Sequence, residues 1–200
     1  MFARGGFKPI ILASIPLIIA LLFILLFSLE LYHISLILLL LPIFSLYFFR
    51  DPNRKIEEGI VSPADGKVVY VDKEEKKLAI FMNILDVHVN RSPVDGKVIE
   101  NKHYYGAHHP AYSEKSSNNE KNHIVLSTDH GKIDLLQITG IFARRIVPYI
   151  KKNDKIKKGD KIGLIRFGSR VELILPQDAV ININEGEKVK AGEKIGDWYG

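Results

Sequence analysis

From Pro9 to Phe49 the chain runs for 41 residues with Glu30 as its only Asp, Glu, Lys or Arg side chain. About 20 apolar helical residues cross the hydrocarbon core of a bilayer. At about 1.5 Å of rise per residue, 41 residues form a helix twice too long for one crossing. The simplest reading is a two-helix membrane hairpin over about 9–28 and 31–49, turning around Ser28–His33. Arg4 and Lys8 precede it, and Arg50, Arg54 and Lys55 follow it. Positive charge at both ends, with Glu30 in the turn, places both termini on the cytoplasmic side. A cleaved signal peptide fits less well, because its apolar region is shorter and ends at a small-residue cleavage site. One span followed by an interfacial helix is the remaining alternative. Pro16 and Pro42 are compatible with spans, each as a kink.

The rest of the chain is of another kind. Residues 50–200 carry 26 of the 28 Lys and Arg and 22 of the 23 Asp and Glu, a net charge of +4. These 151 residues are enough to bury a core of their own. The charge is too mild, and too free of basic runs interleaved with aromatics, to point to nucleic acid. The chain has no cysteine, which excludes disulfide scaffolds, thiolate metal sites and cysteine nucleophiles.

Short β-branched runs punctuated by turn residues make this body mainly β. Strands are expected at Val68–Val71, Leu78–Met82, Val87–Val89, His123–Ser127, Lys132–Ile138, Lys161–Arg166, Val171–Leu175 and Val180–Ile183. Ile141–Ile150 has no clear period, and Gly106–Asn122 reads as an exposed polar loop. Two internal echoes stand out. Ser62–Val68 (SPADGKV) returns as Ser92–Val98 (SPVDGKV), and Lys157–Gly163 (KKGDKIG) returns as Lys190–Gly196 (KAGEKIG). They predict a pseudo-symmetric barrel-sandwich, similar to biotinyl/lipoyl folds.

Without cysteine, a nucleophile has to be Ser, Thr or Lys. The chain contains no Gly-x-Ser-x-Gly and no His-Glu-x-x-His. Its single Gly-Ser step, Gly168-Ser169, lies between two expected strands, where Gly-Ser is also ordinary turn chemistry. Asp65 and Asp95 both sit in Asp-Gly turns, where an Asp supports the turn as readily as it takes part in chemistry. His88 in a strand is as readily structural.

Four stretches, taken in order, resemble the short-type phosphatidylserine decarboxylase family, including archaetidylserine decarboxylases. They are Phe48–Arg54 (FFRDPNR), Ser62–Val68, Met82–Val98 (MNILDVHVNRSPVDGKV) and Gly159–Pro176 (GDKIGLIRFGSRVELILP). The resemblance implies a self-processing lyase that acts on a serine-headgroup membrane lipid and carries a covalent pyruvoyl group made from Ser169. The Ser169 hydroxyl would attack the Gly168 carbonyl and convert the amide to an ester. Loss of the Ser169 Cα proton would expel the Gly168 carboxylate and leave dehydroalanine, which water converts to pyruvoyl with release of ammonia. The products would be a large chain, 1–168, and a small chain, 169–200. The domain division is then a membrane anchor at 1–49 and a catalytic domain at 50–200, cut between 168 and 169, on the cytoplasmic face of the membrane. A homodimer is compatible with an exposed sheet edge.

The resemblance also implies roles for Asp65 and His88 as the catalytic acid/base pair beside Ser169. Longer members of the family resemble a D-x-H-x-x-H-x-P pattern. Here Arg91 stands where their second histidine would be, which leaves the processing base open. Arg91 is no base at neutral pH but suits a substrate carboxylate or phosphate. Lys115, Asn119 and Glu120 fall in the family's polar loop segment, as gating or headgroup contacts or as solvated residues. Arg144 and Arg145, followed by Lys151 and Lys152, either meet lipid phosphates or form a solvated face. His103, His108, His109, His123 and His130 lack carboxylates at ligand spacing, and the family requires no metal. The competing reading is a membrane-tethered carrier or adaptor domain, which needs a modifiable lysine such as Lys67 or Lys97 at a hairpin tip.

Overall fold

The computed structural model describes residues 2–26, 32–111, 113, 116, 118–140, 145–166 and 169–199. The chain divides into two compact units, Met1–Pro52 and Asn53–Gly200.

The first unit is helical. α1 (Phe7–Leu26) is apolar on every face, with Ile11, Leu12, Ile18, Ile19, Leu22 and Leu25 all exposed. A helix without a polar face belongs in a membrane or a large core. Its stretch Phe7–Leu25 is the one helix, among the described residues, that is long and apolar enough to cross a bilayer. The second apolar segment differs from a single full-length span. It forms α2 (Tyr32–Leu38) and α3 (Leu40–Phe48), joined through Leu39 in helical conformation. The apolar stretch His33–Phe48 is shorter than a span. Most of the turn expected at Ser28–His33 lies outside the described residues. The two ends of this unit are tied together, since Ala3 N donates to Phe49 O at 2.9 Å and Phe2 bridges to Arg50. Gly6 allows this return, because a Cβ there would lie 2.7 Å from the Phe49 Cβ.

The second unit is mainly β. An antiparallel eight-stranded sheet runs β13 (Lys188–Val189), β2 (Gly66–Asp72), β3 (Lys77–Met82), β11 (Ser169–Ile174), β7 (Gly131–Thr139), β6 (Lys121–Thr128), β5 (Gly96–Tyr104), β9 (Lys155–Ile156). One small sheet is β1 (Ile60–Val61), β14 (Lys194–Trp198) and β12 (Ala179–Ile181). The other is β4 (Val89–Arg91), β10 (Lys161–Ile165) and β8 (Ile146–Pro148). Inward residues such as Val68, Ile80, Val171, Leu135 and Ile124 alternate with outward ones along the central strands and form the core.

The sequence echoes become a two-fold relation in the hydrogen bonding. The order of the large sheet reads the same from either edge once β13 is matched to β9, β2 to β5, β3 to β6 and β11 to β7. Val61 N donates to Pro93 O (3.0 Å), and Arg91 N donates to Pro63 O (2.9 Å). Gly192 N donates to Ser62 O and Gly159 N to Ser92 O, both at 2.9 Å. The Ser62 and Ser92 hydroxyls each donate to the carbonyl two residues on at 2.7 Å. Both β2 and β5 break register at the same place, between Val68 and Tyr70 and between Val98 and Glu100. The paired turns at Gly159 and Gly192 have φ of +84° and +96°, and a Cβ at either would strike Ile56.

Most expected strands are found within two residues of their predicted limits. The run at Val87–Val89 differs, because a tight turn at Asn83–Asp86 delays the strand to Val89–Arg91. β5 escaped the apolar pattern, because its second half, Glu100–Tyr104, is polar. Ile141–Ile150 contributes β8, although 141–144 lie outside the described residues.

Candidate active site

Ser169 opens β11 at the centre of the large sheet, between Met82 at the end of β3 and Thr139 at the end of β7. The alternation that buries Val171 and Leu173 turns the Ser169 side chain inward as well. All three neighbours in this row are fully buried. The Ser169 hydroxyl has no hydrogen-bond partner among the described residues. A buried hydroxyl left unsatisfied costs about 1–3 kcal/mol.

A chain of buried amides runs beside it. Asn122 Nδ2 donates to Gln137 Oε1 (3.1 Å), Gln137 Nε2 donates to Asn90 Oδ1 (2.8 Å), and Asn90 Nδ2 points at Met82 Sδ (3.5 Å). Gln137 and Asn90 are completely buried. Gly163 is needed here, because a Cβ would lie 2.8 Å from the Gln137 amide nitrogen. The relay fixes the orientation of Asn90, with its oxygen toward Gln137 and its NH2 toward the residue that faces Ser169. Sequence reading passed over both amides. The available signal was the register of Ile133, Leu135 and Gln137, which puts a polar side chain in an inward row.

His88 is completely buried in the connection from β3 to β4. Its Nδ1 lies 2.9 Å from Asp86 O, so Nδ1 carries the proton of that bond. The His88 carbonyl accepts from Ile165 N at 3.3 Å, at the end of β10, four residues before Ser169.

Asp65 sits just before β2, two strands from Ser169, or about 10 Å across the sheet. One carboxylate oxygen accepts from Ala191 N (2.9 Å), and the other is paired with Arg54. Its counterpart Asp95 accepts from Lys158 N at 2.6 Å. The structure thus gives both aspartates a bond to a backbone N–H distant in sequence and, among the described residues, pairs a guanidinium with Asp65.

The remaining candidates separate. Arg91 spends its guanidinium on Gly159 O at 2.9 Å, inside the body. Asn119 is buried and acts as a latch. Its Nδ2 donates to His109 O and to Thr139 O, and its Oδ1 accepts from His109 N, all at 2.7 Å. The expected exposed loop is therefore fastened to the strand beside Ser169. Glu120 receives His103 at 3.1 Å. Arg145 is exposed, and its carbonyl accepts from Arg166 N at 3.2 Å. Burial, and then the charge of Arg145, hold the Arg166 guanidinium below its ordinary pKa. Arg166, three residues before Ser169, is a cation that the sequence motifs do not single out. Gly168, Lys115 and Arg144 lie outside the described residues. Lys67 and Lys97 lie within β2 and β5, paired to Phe81 and Ser127, rather than at hairpin tips.

The fold and site define a protein with a duplicated β body that holds a buried serine hydroxyl at the head of a central strand. Comparison with known proteins gives this arrangement its family. Residues 41–197 match the family model of phosphatidylserine decarboxylase. The chain is 51% identical over 153 residues to a putative archaetidylserine decarboxylase proenzyme of Archaeoglobus fulgidus, covering 76% of this chain and 77% of that one. It is 44% identical over 176 residues to the phosphatidylserine decarboxylase proenzyme of Desulfotalea psychrophila (81% and 82% covered). The proenzyme of the same name from Syntrophus aciditrophicus is 42% identical over 205 residues, covering 96% of this chain and 94% of that one. The chain belongs to the phosphatidylserine decarboxylase family.

Proposed function

We propose that the protein cleaves itself between Gly168 and Ser169 and then decarboxylates a serine-headgroup membrane lipid, of the phosphatidylserine or archaetidylserine type, to the ethanolamine lipid and CO2. The observation that carries this reading is the buried, unpartnered Ser169 hydroxyl at the head of β11 in a chain of this family. That orphaned atom fits a residue destined to become a pyruvoyl group. Such a group supplies an electrophilic carbonyl for the substrate amine and a sink for the electrons released with CO2.

The chain's own residues do the rest. Ser169 Oγ attacks the Gly168 carbonyl. The peptide C–N bond breaks as the ester C–O bond forms, and the Ser169 nitrogen gains a proton. His88 Nε2 is the base that takes the hydroxyl proton, with Nδ1 held by Asp86 O. Asp65 supports the same step through its bond to Ala191 N and the charge it shares with Arg54. The Asn90 amide, held by Gln137, presents N–H toward the reacting end of β11. Arg145 and Arg166 hold the lipid phosphate. Arg91 buttresses the turn at Gly159.

The finer architecture follows the same reading. The doubled β body is a barrel-sandwich. The helical unit is a membrane hairpin, supported by the Ala3–Phe49 and Phe2–Arg50 contacts that bring its two ends together. Positive residues at both ends put the catalytic unit on the cytoplasmic side.

The test is release of CO2 from carboxyl-labelled serine lipid by the full chain in vesicles. A charged hydrogen bond is worth roughly 1.5–3 kcal/mol, so Arg166→Gln raises KM for the lipid about tenfold or more. Ser169→Ala abolishes release. Release that persists in Ser169→Ala overturns the reading.

A further inference from the structure

The turn that follows β3 shares its bonding with the turns at 151–154, 157–160, 184–187 and 190–193 but differs from them at its tip. Asn83 N donates to Asp86 Oδ2 (2.8 Å), Leu85 N to Asn83 Oδ1 (2.7 Å) and Asp86 N to Asn83 O (3.0 Å). These bonds close Asn83–Asp86 into a four-residue knuckle. At its tip Ile84 and Leu85 are 43% and 56% exposed. A turn in water gains nothing by showing two branched aliphatic side chains. A turn that enters a bilayer interface needs what this one has at its tip, two apolar side chains.

The knuckle stands at the Ser169 end of the sheet, directly after Met82, the cross-strand partner of Ser169. Tyr105, 92% exposed, emerges from β5 at the same end. Tyr104 lies on the lateral row that joins Lys121, Ile138, Arg170 and Phe81. That row continues to Lys67 and Lys188. Four cations, Lys188, Lys67, Arg170 and Lys121, therefore cross the sheet one residue behind the Ser169 row. Glu172 is paired with Arg170, and Asp86 is folded into the knuckle. An apolar and aromatic tip with cations set just behind it matches an anionic bilayer, with acyl chains meeting the tip and phosphates meeting the cations.

We infer that the Asn83–Asp86 knuckle is a membrane probe, which seats Ile84 and Leu85 in the interface of an anionic bilayer and holds the Ser169 end of the sheet against the lipid surface. The inference rests on the lipid-decarboxylase reading for its purpose but not for its measurement. It also explains how a buried serine reaches a substrate whose tails stay in the bilayer. The substrate need only rise by the depth of its headgroup.

The chain has no cysteine, so one introduced cysteine reports one place. Full chains carrying Leu85→Cys or Glu75→Cys, each labelled with an environment-sensitive fluorophore, are reconstituted into phosphatidylcholine vesicles containing phosphatidylglycerol and spin-labelled lipid. Glu75 lies in the turn at the opposite end of β3. The expected result is quenching several-fold stronger at position 85 than at 75. It should fall toward the pure phosphatidylcholine value when Lys67→Gln and Lys188→Gln are combined. Ile84→Cys repeats the measurement should Leu85→Cys fail to fold. Equal quenching at 85 and 75, whether weak or strong, overturns the inference. So does a spectral shift at 85 that depends on protein concentration and not on lipid, the mark of a protein partner. The same measurement in the Ser169→Ala background reads the seat without any cleavage, so failure of the chemistry and failure of the probe are told apart.

Discussion

Asp65 and Asp95 are the same residue met twice. Each accepts a backbone N–H from a turn distant in sequence, Ala191 for Asp65 and Lys158 for Asp95, and Arg54 is paired with Asp65. Replacing either with Ala removes a backbone acceptor, at about 1–3 kcal/mol where the donor is buried. Both variants should melt at lower temperature in calorimetry, Asp65→Ala by more because Ala191 N–H is buried. Self-cleavage, followed on a denaturing gel, should slow only in Asp65→Ala. Cleavage that slows in both in proportion to lost stability would reduce Asp65 to a turn residue. At this scale the sequence was a partial guide. The Asp-Gly steps announced both turns, but nothing in them separates a supporting carboxylate from a working one. What distinguishes the two in the structure is Arg54, eleven positions before Asp65 and paired with it. Arg91 shows the opposite limit, since its residue type suits an anion while its position spends it on Gly159 O.

At the scale of elements, β7 shows what period-two reading captures and what it passes over. Its apolar residues were enough to predict Lys132–Ile138 as a strand, and the strand is Gly131–Thr139. The same alternation places Gln137 inside, where it links β6, β7 and β4 through two amides. Gln137→Leu keeps the volume and orphans Asn90 Oδ1 and Asn122 Nδ2. It should lower stability by roughly 2 kcal/mol or more, read as a lower denaturant midpoint with an unchanged slope. An unchanged midpoint would mean the relay is ornamental. The short strands β1, β9 and β13 were not legible, because two residues carry no period. They are held by pairing to β14, β5 and β2, residues distant in sequence. The loop before β6 looked exposed because its composition is polar, yet Asn119 is among the most buried polar residues in the body. Polarity alone does not distinguish a solvated side chain from a latch whose three bonds are all satisfied.

For the whole molecule, the proposal of a cut at Gly168–Ser169 comes from the family resemblance and not from geometry. The internal echoes made the duplication visible, and the bonds exchanged between Val61, Pro63, Arg91 and Pro93 bear it out. The second apolar segment was harder to judge, since length and composition cannot tell one span from the two short helices it forms. The proposed cut falls where the fold can bear it. Residues 169–200 supply β11, hydrogen-bonded on both sides by β3 and β7, together with β13 on β2 and β14 on β1. The small chain is thus woven into the large one and should stay bound after cleavage. The most direct test is the intact mass of purified protein under denaturing conditions. The account predicts two chains, 1–168 and a 32-residue chain, 169–200, whose first residue is a pyruvoyl group rather than serine, and a single uncut chain in Ser169→Ala. Wild-type protein that remains one 200-residue chain would contradict it.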